Sequence, residues 1–262
     1  MSEFYIDGYL KANLDIIKTA IKDDWDMVFV VDGEEGSGKS VLAMQCAKYC
    51  DSSFDISREC FDAESFEKCV RETAQQYQSI VFDEAFGGLS SRAVMSKVNR
   101  SLVRMMTEIR AKNLFIFVVL PTFFDLDKYV ALWRSRALLH VYSYEGFKRG
   151  RFMFFNSERK KQLYVNGKKF YNYNNPKANF LGSFINHYPI DKDAYKKRKM
   201  ECIRARNDKD NEPEDTTSIR DNIIYSMYQK GIKYKEIGEI VGLDASRICQ
   251  IVNSIKKSIE IE

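Results

Sequence analysis

The chain has 262 residues, 45% of them hydrophobic and 30% charged, with a net charge of +4. That length allows one large domain, alone or with a small companion, and the apolar fraction supports a real core. No apolar run reaches the roughly 18 residues that span a bilayer, and the opening MSEFYIDGYL carries no basic-then-apolar leader. Six cysteines (Cys46, Cys50, Cys60, Cys69, Cys202, Cys249) form no C-x-x-C pair and no zinc spacing. A cytoplasmic protein with reduced thiols and no membrane partner is therefore expected. His140 and His187 lie in unlike contexts and predict no histidine metal site.

Residues 1–24 predict a short helix, followed past Trp25 by the apolar run Met27 to Asp32 (MVFVVD), which reads as a buried parallel strand. Residues 33–40 are GEEGSGKS, the full phosphate-loop pattern G-x-x-x-x-G-K-[ST], and VLAMQCAKYC continues as a helix. Gly33, Gly36 and Gly38 let loop amides turn toward phosphate oxygens, and the helix start adds partial positive charge. The candidate nucleotide-binding residues are therefore Gly33, Glu34, Glu35, Gly36, Ser37, Gly38, Lys39, Ser40 and Val41. Lys39 is expected to reach the β and γ phosphates of ATP, and Ser40 to hold Mg²⁺.

Phe54 to Ile56 predicts a short strand and Ala63 to Gln76 an amphipathic helix. Ser79 to Ala85 (SIVFDEA) predicts a strand ending in Asp83-Glu84. Asp83 is expected to complete the Mg²⁺ site, and Glu84 to polarise the attacking water, which makes hydrolysis the expected reaction. A long helix over Arg92 to Lys112, a strand over Leu114 to Leu120 and another over Ala137 to Tyr144 complete an alternation that implies a mainly parallel α/β sheet.

From residue 147 the pattern changes. RFMFFN and QLYV-Asn166-Gly167-KKFYNY read as a hairpin appendage, since Asn-Gly between alternating residues is a strong turn signal. Residues 147–200 hold fourteen Lys/Arg against three acids, a net +11. That concentration predicts a polyanion partner, DNA, with Lys160, Lys161, Lys168 and Lys169 as candidate contacts; a solvated basic face is the alternative. Residues 191–206 read as a basic helix closing a first domain at 206, and residues 207–218 (NDKDNEPEDTTS) as a linker.

Residues 219–262 read as a separate helical unit. Helices are expected over Ile219 to Lys230, with Ile223 and Ile224 inward, over Tyr234 to Val241, and over Asp244 to Lys256 after a turn at Gly242. That spacing predicts a helix-turn-helix in which Asp244 caps the last helix and Ser246, Arg247 and Gln250 face the major groove. A small protein-docking module is the alternative, because this unit carries seven basic and six acidic residues.

GEEGSGKS, SIVFDEA, NLFIFVVLPTFFDLD and GSFINHYPIDKDAYKKRK together resemble the additional-strand, catalytic-glutamate P-loop ATPases. Within that group the likeness is to the FtsK/HerA branch of viral packaging and zonular-occludens-toxin-like ATPases, over roughly residues 25–200. The resemblance implies a P-loop NTPase fold with a RecA-like sheet, ATP and Mg²⁺ as cofactors, and a homo-oligomeric ring, a hexamer being one form. It also implies a γ-phosphate sensor at Thr122, where many relatives carry Gln or Asn. An arginine finger from a neighbouring subunit would be Arg110, or otherwise Arg104, Arg134 or Arg136. The C-terminal unit resembles region four of bacterial sigma factors. The activity so implied is a DNA-packaging or DNA-translocating ATPase of a virus or mobile element, acting in the host cytoplasm if viral. The competing readings are a helicase-loader or transposition-helper ATPase and an ATP-gated DNA-binding regulator.

Overall fold

The computed structural model describes residues 4–83, 91–211 and 215–259, with side chains not described at 91–94, 206–211, 215–219 and 257–259. Its contacts divide the chain into two units, Met1–Ile203 and Arg204–Glu262.

The first unit is built on a sheet of seven strands: β1 (Met27–Gly33), β2 (Glu59–Cys60), β3 (Ser79–Asp83), β4 (Phe115–Val119), β5 (Ser135–Tyr144), β6 (Lys148–Phe155) and β7 (Phe180–Ser183). Their order is β2-β3-β4-β1-β5-β6-β7. The first five strands in that order run parallel, and β6 and β7 add antiparallel to β5. β1 is buried along its whole length. Its unbroken apolar run suits a central strand covered on both faces.

Side-chain alternation sorts the core into two layers. Val28, Val30, Ile80, Phe82, Ile116, Val118 and Leu138 face one cluster, with Met95, Val98, Leu102 and Met105. Those last four lie on α4 (Ser91–Ala111), which shares that face with α3 (Ala63–Lys68) and α5 (Ser157–Gly167). Phe29, Val31, Val81, Phe117 and Leu139 face the other cluster. It is covered by α1 (Gly8–Ala20), by α2 (Lys39–Cys50) and by Tyr195 of α6 (Lys192–Asn211).

Three expectations fail locally. The 54–56 strand is a loop entering a 3₁₀ turn at Ile56–Arg58, and the strand begins only at Glu59. The helix from Ala63 ends at Lys68 and passes into a π turn over Cys69–Thr73. Asn166-Gly167 is the end of α5, not a hairpin turn, and β6 and β7 belong to the main sheet. Gly167 is needed there for closeness: a Cβ on it would lie 2.4 Å from the Asn172 carbonyl oxygen and 2.8 Å from the Phe124 ring. The hairpin that does form joins β5 to β6 through Glu145 and Gly146, both at positive φ.

The second unit contains α7 (Asp215–Gln229), α8 (Tyr234–Val241) and α9 (Ala245–Ile259). Ile224, Ile237, Ile248, Ile251 and Val252 form its core. Ile223, expected inward, is half exposed at 49%. Gly242, at φ +70°, ends α8, and the Asp244 carboxylate accepts the Arg247 amide at 2.9 Å to start α9. Within the 207–218 segment, α6 runs to Asn211 and α7 starts at Asp215.

Candidate functional site

The C-terminal ends of β1, β3 and β4 open into a cleft of about 470 Å³, whose walls include residues 35–41, Asp83, Arg149, Tyr195 and Lys199. Gly33 closes β1 at φ +137°, and a Cβ there would sit 1.9 Å from the Val141 carbonyl oxygen of β5. Only glycine permits that approach, so the loop leaves the sheet from the one residue type that fits. Gly36 and Gly38 also take positive φ, and no side chain caps α2. The first amides of α2 are thus left to an anion rather than to a cap. Ser37 is 1% exposed, and its hydroxyl, inside the loop, has no partner among the described residues.

The Lys39 ammonium donates to the Gly33 and Glu34 carbonyls, each at 2.7 Å. Burial pulls its pKa below 10.5, against the opposing pull of Asp83, Asp32 and Glu35. A cation this desolvated gains from a polyanionic ligand. Asp83 closes β3 at 2% exposure. Its Oδ2 accepts from the Tyr195 hydroxyl and the Lys199 ammonium, both at 2.8 Å. The two donors are also 3.0 Å from each other. Ser40 lines the same cleft as Asp83, Tyr195 and Lys199. Ser40 and Asp83 are hard oxygen donors that fit Mg²⁺ completed by phosphate and water, and the cation would offset charge on the phosphates. Among the described residues, no cluster of three or more His, Cys, Asp or Glu could hold a metal by itself. Glu84 lies outside the described residues.

Beside the loop is a buried network that the sequence reading does not contain. The fully buried Asp32 accepts the Phe123 amide at 2.7 Å, the Tyr173 hydroxyl and, on its other oxygen, His140 Nδ1 at 2.9 Å. Tyr173 stacks on His140, and its hydroxyl meets Thr122 Oγ1 at 3.2 Å. Thr122 also caps the 3₁₀ turn at Phe123–Asp125. It therefore stands near the end of β4, committed to a neighbour beneath the loop. Glu59 is fully buried and, among the described residues, neither carboxylate oxygen has a partner; burial first, and the Asp83 charge second, raise its pKa.

The arginines expected to act on a neighbouring subunit's site lie away from this chain's own cleft. Arg134 directly precedes β5, Arg136 is its second residue and Arg110 is near the end of α4, all at the end of the sheet opposite the phosphate loop. Arg134 pairs with Asp26 at 2.5 Å, Arg104 pairs with Glu67 at 2.9 Å, and Arg136 lies over Trp25. The arginine in the cleft is Arg149 of β6, whose guanidinium would be 3.6 Å from a Cβ on Gly36. No local pattern marks it; only the pairing of β6 with β5 brings it there.

The four basic-segment lysines are not one surface. Lys160 is fully buried and donates to the Ala131 carbonyl, so it contacts no partner from solution. Its pKa falls from 10.5 to about 7, through burial first and then Lys161 and Arg136. Lys161 lies over the Trp133 ring and Lys168 over Tyr164, while Lys169 lies over Phe170. In the second unit Ser246, Arg247 and Gln250 are exposed together on α9, and Arg247 donates to the Gln250 side chain at 3.0 Å.

No family model matches the chain, and no curated protein matches it. Among solved structures, the N-terminal domain of zonular occludens toxin from Neisseria meningitidis is similar at 16% identity and a TM-score of 0.35, over 50% of this chain and 84% of that one. A likeness at that level decides nothing about the chemistry, which has to come from the cleft. Among the described residues no helix is long and apolar enough to cross a membrane.

Proposed function

We propose that the first unit binds a nucleoside triphosphate with Mg²⁺ and hydrolyses it, ATP being the substrate the sequence pattern favours. One observation carries this reading. A glycine loop with three positive-φ positions and an uncapped helix start surrounds a desolvated lysine, in a cleft that also holds a strand-end aspartate. Loop amides and Lys39 hold the phosphates, Ser40 and Asp83 complete the metal's shell, and Glu84 takes the proton of the attacking water.

The finer reading is an ATPase that works on DNA, as a packaging or translocating motor in a ring with an arginine supplied in trans. What supports the DNA part is the net +11 of residues 147–200 and the exposed Ser246, Arg247 and Gln250 on α9, which suit a helix-turn-helix. Lys160 takes no part in it.

Binding of a fluorescent ATP analogue and release of phosphate, with and without duplex DNA, test both levels. Wild type should bind and hydrolyse. Lys39→Ala should lose binding, and Glu84→Gln should keep binding and lose turnover, since an amide accepts no proton. Absence of nucleotide binding by wild type would sink the ATPase reading. Turnover indifferent to DNA would sink the motor and leave a nucleotide switch.

A further inference from the structure

The Asp83 carboxylate is already engaged, and by a cation. Lys199 sits one helical turn beyond Tyr195 on α6, and both donate to the same oxygen, Oδ2. Lys199 retains 26% side-chain exposure while Asp83 has 3%, so the ammonium reaches the carboxylate from the cleft side. Tyr195 is set firmly: it is 4% exposed and packs on the rings of Phe61 and Tyr188. The Arg198 side chain pins the same turn to the Ile56 carbonyl.

An ammonium and a divalent cation cannot share one carboxylate oxygen without strong repulsion in a partly desolvated site. We infer that Lys199 holds the place of the divalent cation when no nucleotide is bound, and that metal–nucleotide binding expels it and loosens α6 from Asp83. The inference rests on the nucleotide-site reading and adds its regulation. It makes Lys199 a gate on metal entry, not a phosphate ligand. A phosphate ligand would leave Asp83 for the nucleotide and strengthen binding, whereas a placeholder opposes it. The exchange breaks the Lys199 hydrogen bond to Oδ2 and forms no covalent bond.

The test measures affinity for a fluorescent ADP analogue, with EDTA and across a Mg²⁺ titration, in wild type, Lys199→Met and Lys199→Arg. Methionine keeps the stem and removes the charge; arginine restores a cation. Lys199→Met should reach half-saturation at about tenfold lower Mg²⁺ or less. It should leave affinity in EDTA within a few-fold of wild type, and Lys199→Arg should return toward wild type. Hydrogen exchange supplies a second readout: amides of 195–203 in wild type should exchange faster with Mg²⁺–ADP than with ADP in EDTA. If Lys199→Met weakens binding alike with and without Mg²⁺, the lysine is a phosphate ligand and the inference falls. Unchanged exchange over 195–203 also overturns it. Failure of wild type to bind the analogue under any condition is a different result, which removes the nucleotide site itself.

Discussion

Lys199 and Lys160 are both lysines of the basic segment 147–200, and they have opposite fates. Lys199 meets a carboxylate at 2.8 Å in an open cleft. Lys160 lies in the core with one backbone carbonyl as its partner and a pKa drawn down to about 7. The difference shows that a run of positive charge says little about where each charge works. What decides is the set of acceptors that distant elements bring to it. Lys161 and Lys168 are a third case: each places its ammonium over an aromatic ring, and that of Lys168 also donates to the Tyr164 hydroxyl at 2.7 Å.

The sharpest way to break the comparison is to exchange the charge at the buried position. Lys160→Glu should cost roughly 3–5 kcal/mol or prevent folding, because it places a carboxylate against a carbonyl with no donor. Lys160→Met should be tolerated; urea unfolding of both variants, with circular dichroism as readout, checks this.

Acidity probes the same site more gently. The folded pKa of Lys160 is depressed from 10.5 to about 7, so the unfolded chain holds the proton more tightly. This residue's share of stability should therefore rise with pH between about 7 and 10.5, by up to about 1.4 kcal/mol per pH unit. Below pH 7 the lysine is protonated in both states and adds no further slope. Lys160→Met should flatten the wild-type profile over that range; an identical slope in the two proteins would show that Lys160 is already charged when folded.

Reversing Lys161, Lys168 and Lys169 together should change stability by only about 0.5 kcal/mol per site. If this face holds DNA, the variant should bind all duplexes more weakly and with a shallower salt dependence. Unchanged affinity would assign these lysines to solvation. The smallest effect on stability belongs to Arg247→Ala in the second unit, since the side chain is exposed and bonds only a neighbour on its own helix. Its expected signature is a loss of about 1–3 kcal/mol of preference among DNA sequences, read by selecting sites with both proteins.

Sequence order explains which of these features could be read in advance. The phosphate loop was legible because its strand, glycines, lysine and helix are consecutive, and Asp83 because it ends an unbroken apolar run. α8 is found over Tyr234–Val241, as its periodicity predicts. The partners of Asp83 lie 112 and 116 residues away, and those of Asp32 lie 91 to 141 away, so no local pattern announces them. Asn166-Gly167 misled for the converse reason. The pair suits a hairpin turn, but Leu163 and Tyr164, one turn earlier, are core residues of a helix packed under Phe123 and Leu126.

The N-terminal segment docks on the far end of the first unit. Tyr5 meets Ser183 at 3.2 Å, Phe4 stacks on His187, and Asp7 accepts the Ser183 amide at 3.3 Å while also starting α1. Gln45 of α2 donates to the carbonyls of Ile185 and His187, each at 2.8 Å. During synthesis, then, residues 4–7 wait for residues 183–187 before they find their place. A nascent chain that has reached residue 150 would carry the whole phosphate loop with one wall of its cleft, residues 184–203, still unmade. Folding of this unit has to be completed late, with its beginning and its end secured together.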